Sequence, residues 1–306
     1  MVRQKWKPIL KQWSEQGDTK LHFFAEKVLY NCLRSEQDPS LDDPIFMLYD
    51  GSKNTDVFFF FAQPHTQRIA DIVFIHGLQG SFFSTWMVQQ ETSDFHHITC
   101  WPATYLPAYL ANRDVSPPVR ILSVSYHARM RKSSSPHPTL SIQEQAADLR
   151  KRLDSAGIGE RPVIFVTHSL GGLIVKEMLV DESKWEKGCG VRSRDVYAPL
   201  LHQTKAIVFY STPHRGSPVI KKNSSLLHAL FGFTPVISEL QNDSPLLLDL
   251  NDAFLDLSPL PDILSLGEEA PMHVGKYEAL VVPPTSANPG VGVEERVNGR
   301  SGSLFR

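Results

Sequence analysis

From about residue 56 onward, short runs of β-branched and aromatic residues alternate with stretches of helical period. That texture predicts βαβ units and a mostly parallel sheet. The strands it predicts are 57–62, 70–75, 120–126, 162–167, 206–210, 263–266 and 279–282. Between them, residues 141–156 place Ile142, Ala146, Leu149 and Leu153 on one helical face. Residues 171–180 form a second predicted helix, apolar at Leu173, Ile174, Val175, Met178 and Leu179.

Outside this alternation the chain reads differently. Residues 4 to about 33 have helical spacing, with an apolar stripe through Leu21, Phe24, Ala25, Val28, Leu29 and Cys32. A polar linker over 35–55 follows, broken by residues 45–49. Residues 185–203 read as loop. Residues 217–257 carry apolar clusters at Leu226, Leu227, Leu230, Phe231, Val236, Ile237 and Leu240, then at 246–250, Phe254 and Leu255. Such helices serve either as a lid over an acyl groove or as ordinary cover for the sheet. The predicted organisation is a helical segment and linker over 1–55, one α/β domain over 56–292, and a divergent tail over 293–306.

Composition narrows the partners. With 31 basic and 33 acidic side chains, the chain lacks the basic excess of a nucleic-acid binder. Three widely spaced cysteines, Cys32, Cys100 and Cys189, argue for a reducing compartment and against a disulfide framework. No stretch reaches the roughly 18 apolar residues of a membrane span. Arg3, Lys5, Lys7 and Lys11 precede the first acid, Glu15; that fits a mitochondrial transit segment or a surface helix. No pair of histidines and carboxylates has metal-ligand spacing, and no cofactor motif is present. The sequence carries no signal for oligomeric state.

The chemistry concentrates in Thr167-His168-Ser169-Leu170-Gly171-Gly172, which ends one predicted strand and opens a helix. Strand, turn and helix with serine at the turn is the context of the G-x-S-x-G nucleophile elbow. The positions two before and two after the serine must be small there; Gly171 fits and Thr167 does not. Alone, the string also fits a serine capping a helix. Phe74-Ile75-His76-Gly77-Leu78-Gln79-Gly80, ending the strand 70–75, adds a loop able to lend a backbone N–H to an oxyanion hole. Leu78 and Leu170 are the predicted donors. About ninety residues, holding one predicted strand and its helix, separate that loop from Ser169, the spacing an α/β-hydrolase fold requires.

In that fold the acid and then the histidine follow the serine along the chain. Glu268, directly after the strand 263–266, is the predicted acid, with Glu269 the alternate. After 279–282, read as the last strand of the sheet, no histidine follows. His273 lies on the wrong loop. His214, in Ser211-Thr212-Pro213-His214-Arg215-Gly216-Ser217, is the candidate substitute base, and the side chain of His168 is expected to point away from a base's position. Loss of a triad histidine lowers kcat on the order of a millionfold, about 8 kcal/mol of barrier.

The strings ADIVFIHGLQGS, CWPATYL, IGERPVIFVTHSLGGLIVKEML, IVFYSTPHRGS, ISELQNDSP and VVPPTSANPGVG make residues 70–292 resemble the serine-active-site-containing protein family. These are mitochondrial and endoplasmic-reticulum hydrolases related to glycosylphosphatidylinositol-inositol deacylases. The resemblance implies a lipid acyl hydrolase or transacylase, linked to phosphatidylglycerol remodelling and cholesterol handling, with a lipid ester as substrate and a membrane surface as partner. It further implies that a stretch like D/N-H-L-N-I-C-K, following the segment matched by 286–292, supplies the histidine. Residues 293–306 bear no likeness to it, and the expectation is an alternative or truncated product. Two functions are therefore expected as alternatives: an active lipid esterase, or a silent hydrolase fold that binds lipid or a protein.

Overall fold

The computed structural model of the protein describes residues 45–50, 69–78, 80–82, 84–91, 96–111, 119–126, 140–189, 200–220, 235–269, 271–274 and 277–297. The predicted N-terminal helix and the strand at 57–62 lie outside them. The described elements run β1 (Ile45–Asp50), β2 (Ala70–Ile75), β3 (Met87–Glu91), β4 (His96–Cys100), α1 (Trp101–Ala111), β5 (Val119–Val124), α2 (Ile142–Ser155), β6 (Val163–His168), α3 (Leu170–Cys189), α4 (Leu200–Gln203) and β7 (Thr204–Tyr210). After β7 come α5 (Pro235–Glu239), α6 (Pro245–Leu255), β8 (Asp262–Glu268), β9 (Met272–Val274), β10 (Tyr277–Ala279), α7 (Pro284–Ala287) and β11 (Val293–Val297). Seven strands form the main sheet in the order β1-β5-β2-β6-β7-β8-β11. β1 is antiparallel to β5, and every other pairing in the sheet is parallel.

Both faces of the sheet are covered, so its central strands show apolar runs without alternation. Val73, Ile75, Leu122, Val124, Val163, Phe165, Ile207 and Phe209 pack beneath α2, α3 and α6, against Leu149, Leu153, Ile174, Met178, Leu247 and Phe254. The opposite face, through Ile72, Phe74, Ile121 and Val166, meets Phe82, Trp86 and the Trp101, Leu106 and Leu110 side of α1. Each fully buried Leu or Phe contributes about 1.5–3 kcal/mol of transfer free energy, so the first and larger cluster fixes α3 against β6. α2 begins with a reciprocal capping box, in which Ser141 caps the N–H of Glu144 and Glu144 caps that of Ser141.

One charged group sits inside the sheet. Arg120 on β5 pairs bidentately with Asp71 on β2 at 2.7 and 3.0 Å, at 2% and 0% exposure. Arg120 also donates to the Ala156 carbonyl, and Arg161 gives Asp71 a further partner at 2.9 Å. Both carboxylate oxygens of Asp71 are thereby paired, as a buried charge requires.

The structure departs from the sequence reading in four places. Residues 45–49, read as a break in a linker, are an edge strand of the sheet. Residues 279–282 are not a sheet strand: β10 ends at Ala279 and pairs antiparallel with β9 in a separate ribbon. The last strand of the sheet is instead β11, inside the region read as a divergent tail. Its sequence, Val-Glu-Glu-Arg-Val, is exposed at an edge and joins β8 through its backbone, so hydropathy hid it. α3 runs on past residue 180 because Asp181 to Cys189 continue it with a mostly polar surface. In the stretch 217–257, α5, the Leu240 that follows it, and α6 bury Val236, Leu240, Leu247, Leu250 and Phe254 in the sheet's larger core. They are cover for the sheet. Leu226 to Phe231 lie outside the described residues. Among the described residues no helix is long and apolar enough to cross a membrane.

Candidate active site

Ser169 is the single residue between the end of β6 and the start of α3, with a left-handed φ of 51°. A non-glycine residue seldom holds that conformation; it persists where its surroundings over-determine it. The surroundings are tight. A Cβ on Gly171 would lie 2.6 Å from the carbonyl oxygens of Ile75 and His76, and one on Gly172 would run into the Thr212 side chain. These are the close approaches that demand glycine after the serine. Thr167 is admitted two residues before it because its hydroxyl donates to the Val208 carbonyl on β7 at 3.0 Å.

The loop after β2 lies directly on this turn. A Cβ on Gly77 would stand 2.8 Å from Ser169 Cβ and 2.9 Å from the His168 carbonyl oxygen. The loop is held by His76, which is 1% exposed. His76 Nδ1 donates to the Gly77 carbonyl at 2.8 Å, its Nε2 accepts from the Tyr126 N–H at 3.4 Å, and the Tyr126 hydroxyl donates to the His76 carbonyl at 2.7 Å. The two rings stack at 4.5 Å. Leu170 heads α3, where its N–H has no carbonyl one turn earlier to bind. The Leu78 N–H donates to no described residue. Leu170 directly follows the serine, and Leu78 directly follows Gly77, whose Cβ position lies against the serine.

Glu268 ends β8, two strands away from Ser169. His168 pairs with Tyr210, and Tyr210 with Leu266. Ser169, Ser211 and Glu268 therefore stand together at the carboxyl edge of three adjacent parallel strands, where open α/β sheets place their sites. At about 4.8 Å per strand, Ser169 and Glu268 are about 10 Å apart across the sheet. Glu268 is 2% exposed, and neither carboxylate oxygen has a hydrogen-bond partner among the described residues. Glu269 is exposed, and its N–H donates to the Val297 carbonyl.

His214 is not brought to Ser169. It is fully buried on the α3 and α6 side of the sheet, its Nδ1 3.2 Å from Lys176 Nζ and its ring edge-on to Phe209 at 4.7 Å. Its backbone N–H donates to the carbonyls of Thr212 and Ser286. Burial, and then the charge of Lys176, hold its pKa well below the ordinary histidine range. Lys176 also donates to Asn251 Oδ1 at 2.6 Å, and Asn251 Nδ2 to the Pro289 carbonyl. His214 is thus a joint between α3, α6 and the loop after β7. The hydroxyl of Ser169, half-buried, has no hydrogen-bond partner among the described residues. His168 is half-buried with its Nδ1 shut off from solvent, and desolvation pushes its pKa down to about 4. The side chain of His273, on β9, lies outside the description.

Two structural residues escaped the sequence reading. Lys176 is a lone cation within the apolar run of α3, a visible signal of a buried partner. Ser286 Oγ donates to the Gly216 carbonyl at 2.6 Å and accepts from the Arg215 N–H at 3.1 Å, tying the loop after β7 to α7. Among the described residues no group of histidine, cysteine and carboxylate side chains is arranged to hold a metal ion.

The sheet order, the elbow at Ser169 and the loop seated on it define an α/β hydrolase. The chain belongs to the alpha/beta hydrolase family, whose model matches residues 72–290. Its curated relatives include Protein SERAC1 of Bos taurus, 32% identical over 95% of this chain and 43% of that protein, and Protein SERAC1 of Homo sapiens, 30% identical with the same shares. The chain spans less than half the length of these relatives. Among solved structures, the mature lipase BlEst2 of Bacillus licheniformis superposes with a TM-score of 0.43 at 16% identity, covering 78% of this chain and 87% of that one.

Proposed function

We propose that the chain is a serine hydrolase or transacylase of lipid acyl esters, with Ser169 as nucleophile and Glu268 as the acid of its triad. The observation that carries this reading is Ser169 at a left-handed turn between strand and helix, with Gly77 packed on it. Ser169 Oγ attacks the ester carbonyl, the N–H groups of Leu78 and Leu170 receive the charge that develops on its oxygen, and the alcohol leaves with a proton. Water or a lipid hydroxyl then takes the acyl group from the serine. Losing one such donor lowers the rate about 100- to 1,000-fold. The lipid class is supported by the motif resemblance of residues 70–292. The same resemblance supports a place at the mitochondrion or endoplasmic reticulum, against a membrane surface, with a cytoplasmic place as the alternative.

Labelling with a fluorophosphonate probe tests the nucleophile. The expected result is labelling that disappears in Ser169→Ala; equal labelling of the two proteins overturns it. A second reading, a silent fold that binds lipid or a protein, is favoured by His214 being engaged with Lys176 instead of the serine, and it predicts that equal labelling. Among active variants, release of free fatty acid or transfer to an added lysophospholipid separates hydrolase from transacylase.

A further inference from the structure

β11 closes one end of the main sheet, and no described strand pairs with it on the side away from β8. The Val297 carbonyl accepts from the Glu269 N–H on the β8 side. Backbone groups alternate in direction along a strand, so Val293, Glu295 and Val297 turn theirs to β8 while Glu294 and Arg296 turn theirs outward. Neither outward N–H has a partner among the described residues. An open edge of this kind is a template for a further strand.

The side chains alternate as well. Glu294 and Arg296 stand on the face that borders α6 and α7, where they line a cleft with Leu248, Leu255 and Pro284. Glu294 accepts from Asn288 Nδ2 at 2.7 Å, and Arg296 has no ion pair among the described residues. Val293, Glu295 and Val297 share the opposite face, and Val293 is 59% exposed. Charges on an edge usually keep other strands away. Here opposite charges lie two residues apart on one face, and that order favours one partner.

That partner is a second copy of the chain. When a strand meets its own copy antiparallel about a two-fold axis, directly opposed residues share a face, so the axis passes through a single residue position. Centred on Glu294 or on Arg296, the register sets like charge against like. Centred on Glu295, it sets Glu294 against Arg296 of the second copy, Arg296 against Glu294, and Val293 against Val297. The outward-turned residues then form the hydrogen-bonded pairs of the ladder, each exchanging both N–H and carbonyl with its counterpart. Opposed Glu295 side chains are the unfavourable contact of this register.

We propose that β11 is a self-docking edge, through which two copies of the chain join antiparallel over Val293–Val297, centred on Glu295, into one continuous sheet. The proposal is independent of the chemistry of Ser169. The strand is short, so the interface falls below the roughly 1,200 Å² of stable complexes and the dimer is weak.

Sedimentation equilibrium of the full 306-residue chain, over about 5–500 µM, tests this. The expected result is a mass that climbs from monomer toward dimer with concentration. Arg296→Glu and, separately, Glu294→Arg each turn both attractive pairs repulsive, and each should weaken association about tenfold or more. Glu294→Arg combined with Arg296→Glu restores opposite charges in the same register and should return association to within about threefold of the parent. Glu295→Gln removes the like-charge contact and should tighten the dimer about two- to fivefold. All three side chains are exposed, so every variant should keep the parent's far-UV spectrum. A monomer across the whole range overturns the proposal, as does a dimer indifferent to the single reversals. Single reversals that dissociate the dimer without recovery in the double variant overturn the register on which it rests, and so does a Glu295→Gln chain that associates no more tightly than the parent.

Discussion

The N–H of Ser169 donates to the carbonyl of Tyr210 at 2.8 Å, one residue beyond the last paired rung of β6 and β7. One strand over, Ser211 repeats the step: its N–H donates to the Leu266 carbonyl at 2.8 Å, and its φ is 46°. Each strand end is thus held by the next strand while the chain turns sharply off the sheet. For Ser169 this has a chemical consequence. Its own N–H is spent on Tyr210 and is not free for charge on a bound ester oxygen, the role proposed for the N–H groups of Leu170 and Leu78.

Gly77 should tolerate no side chain. A Cβ there meets Ser169 Cβ at 2.8 Å and the His168 backbone at 2.9 Å, and neither is the movable end of a flexible chain. Gly77→Ala is expected to destabilise the fold by about 1–3 kcal/mol, the range for overpacking. It should also slow Ser169 labelling by about tenfold or more, since the displaced loop carries the proposed oxyanion donor Leu78. Gly188→Ala is the comparison: nothing lies within 4 Å of its Cβ position in α3, and alanine there should stabilise by up to about 1 kcal/mol. Urea denaturation of both variants, set beside their labelling rates, checks the pair.

Glu268 should carry a stability–function conflict. Glu268→Leu removes a buried carboxylate that has no hydrogen bond among the described residues and is expected to raise stability by about 1–3 kcal/mol. A loss of stability of that size would mean that the carboxylate is paired in solution. A rise in urea midpoint at unchanged slope is the reading to look for.

The parts of the fold legible in the sequence are those buried on both faces. β2, β5, β6 and β7 are continuous apolar runs, and the Ser141–Glu144 pair announces the start of α2. The elbow was readable through Gly171, and its one departure, Thr167, needed the structure to reveal the hydroxyl's bond to Val208. β11 was illegible because an exposed edge strand of Glu, Glu and Arg is specified by backbone pairing with β8, which leaves no trace in hydropathy. His214 misled for a related reason: the string around it resembles a site loop, but Lys176, distant in sequence, decides where its ring faces. The α/β-hydrolase order of the sheet puts the proposed acid, Glu268, at its place by position, and position alone is visible in the chain.

Arg120 and Asp71 make a second test, independent of the site. Removing only Arg120 leaves a carboxylate at 0% exposure with Arg161 as its remaining ionic partner. Arg120→Ala is expected to cost about 3–5 kcal/mol, as for other broken buried pairs. The double replacement Arg120→Met with Asp71→Leu removes both charges and should recover most of that loss. A double variant no more stable than Arg120→Ala would show that volume at this site matters more than charge. Thermal melts of the two variants beside the parent decide between these outcomes.

Lys176 gives the fold a pH dependence whose sign is fixed by its burial. Desolvation between α3 and α6 lowers its pKa to about 7, against an ordinary value of 10.5, with Asp252 opposing the shift. Between those two values the unfolded chain holds a proton that the folded chain has released. Folding is therefore penalised at neutral pH, and stability should rise as pH climbs toward 10.5, by up to about 1.4 kcal/mol per unit at the steepest. His214, depressed by burial and by Lys176 itself, acts in the same direction at lower pH: below 6.5 the unfolded imidazole takes up a proton the buried one refuses, so stability falls as acid is added. Lys176→Met should abolish the rise between neutral and alkaline pH and keep part of the acid-side fall. Urea midpoints of the parent and Lys176→Met at pH 7 and pH 9 measure this, and a parent whose midpoint is flat or falling over that interval would show that Lys176 is charged and hydrated in the folded protein.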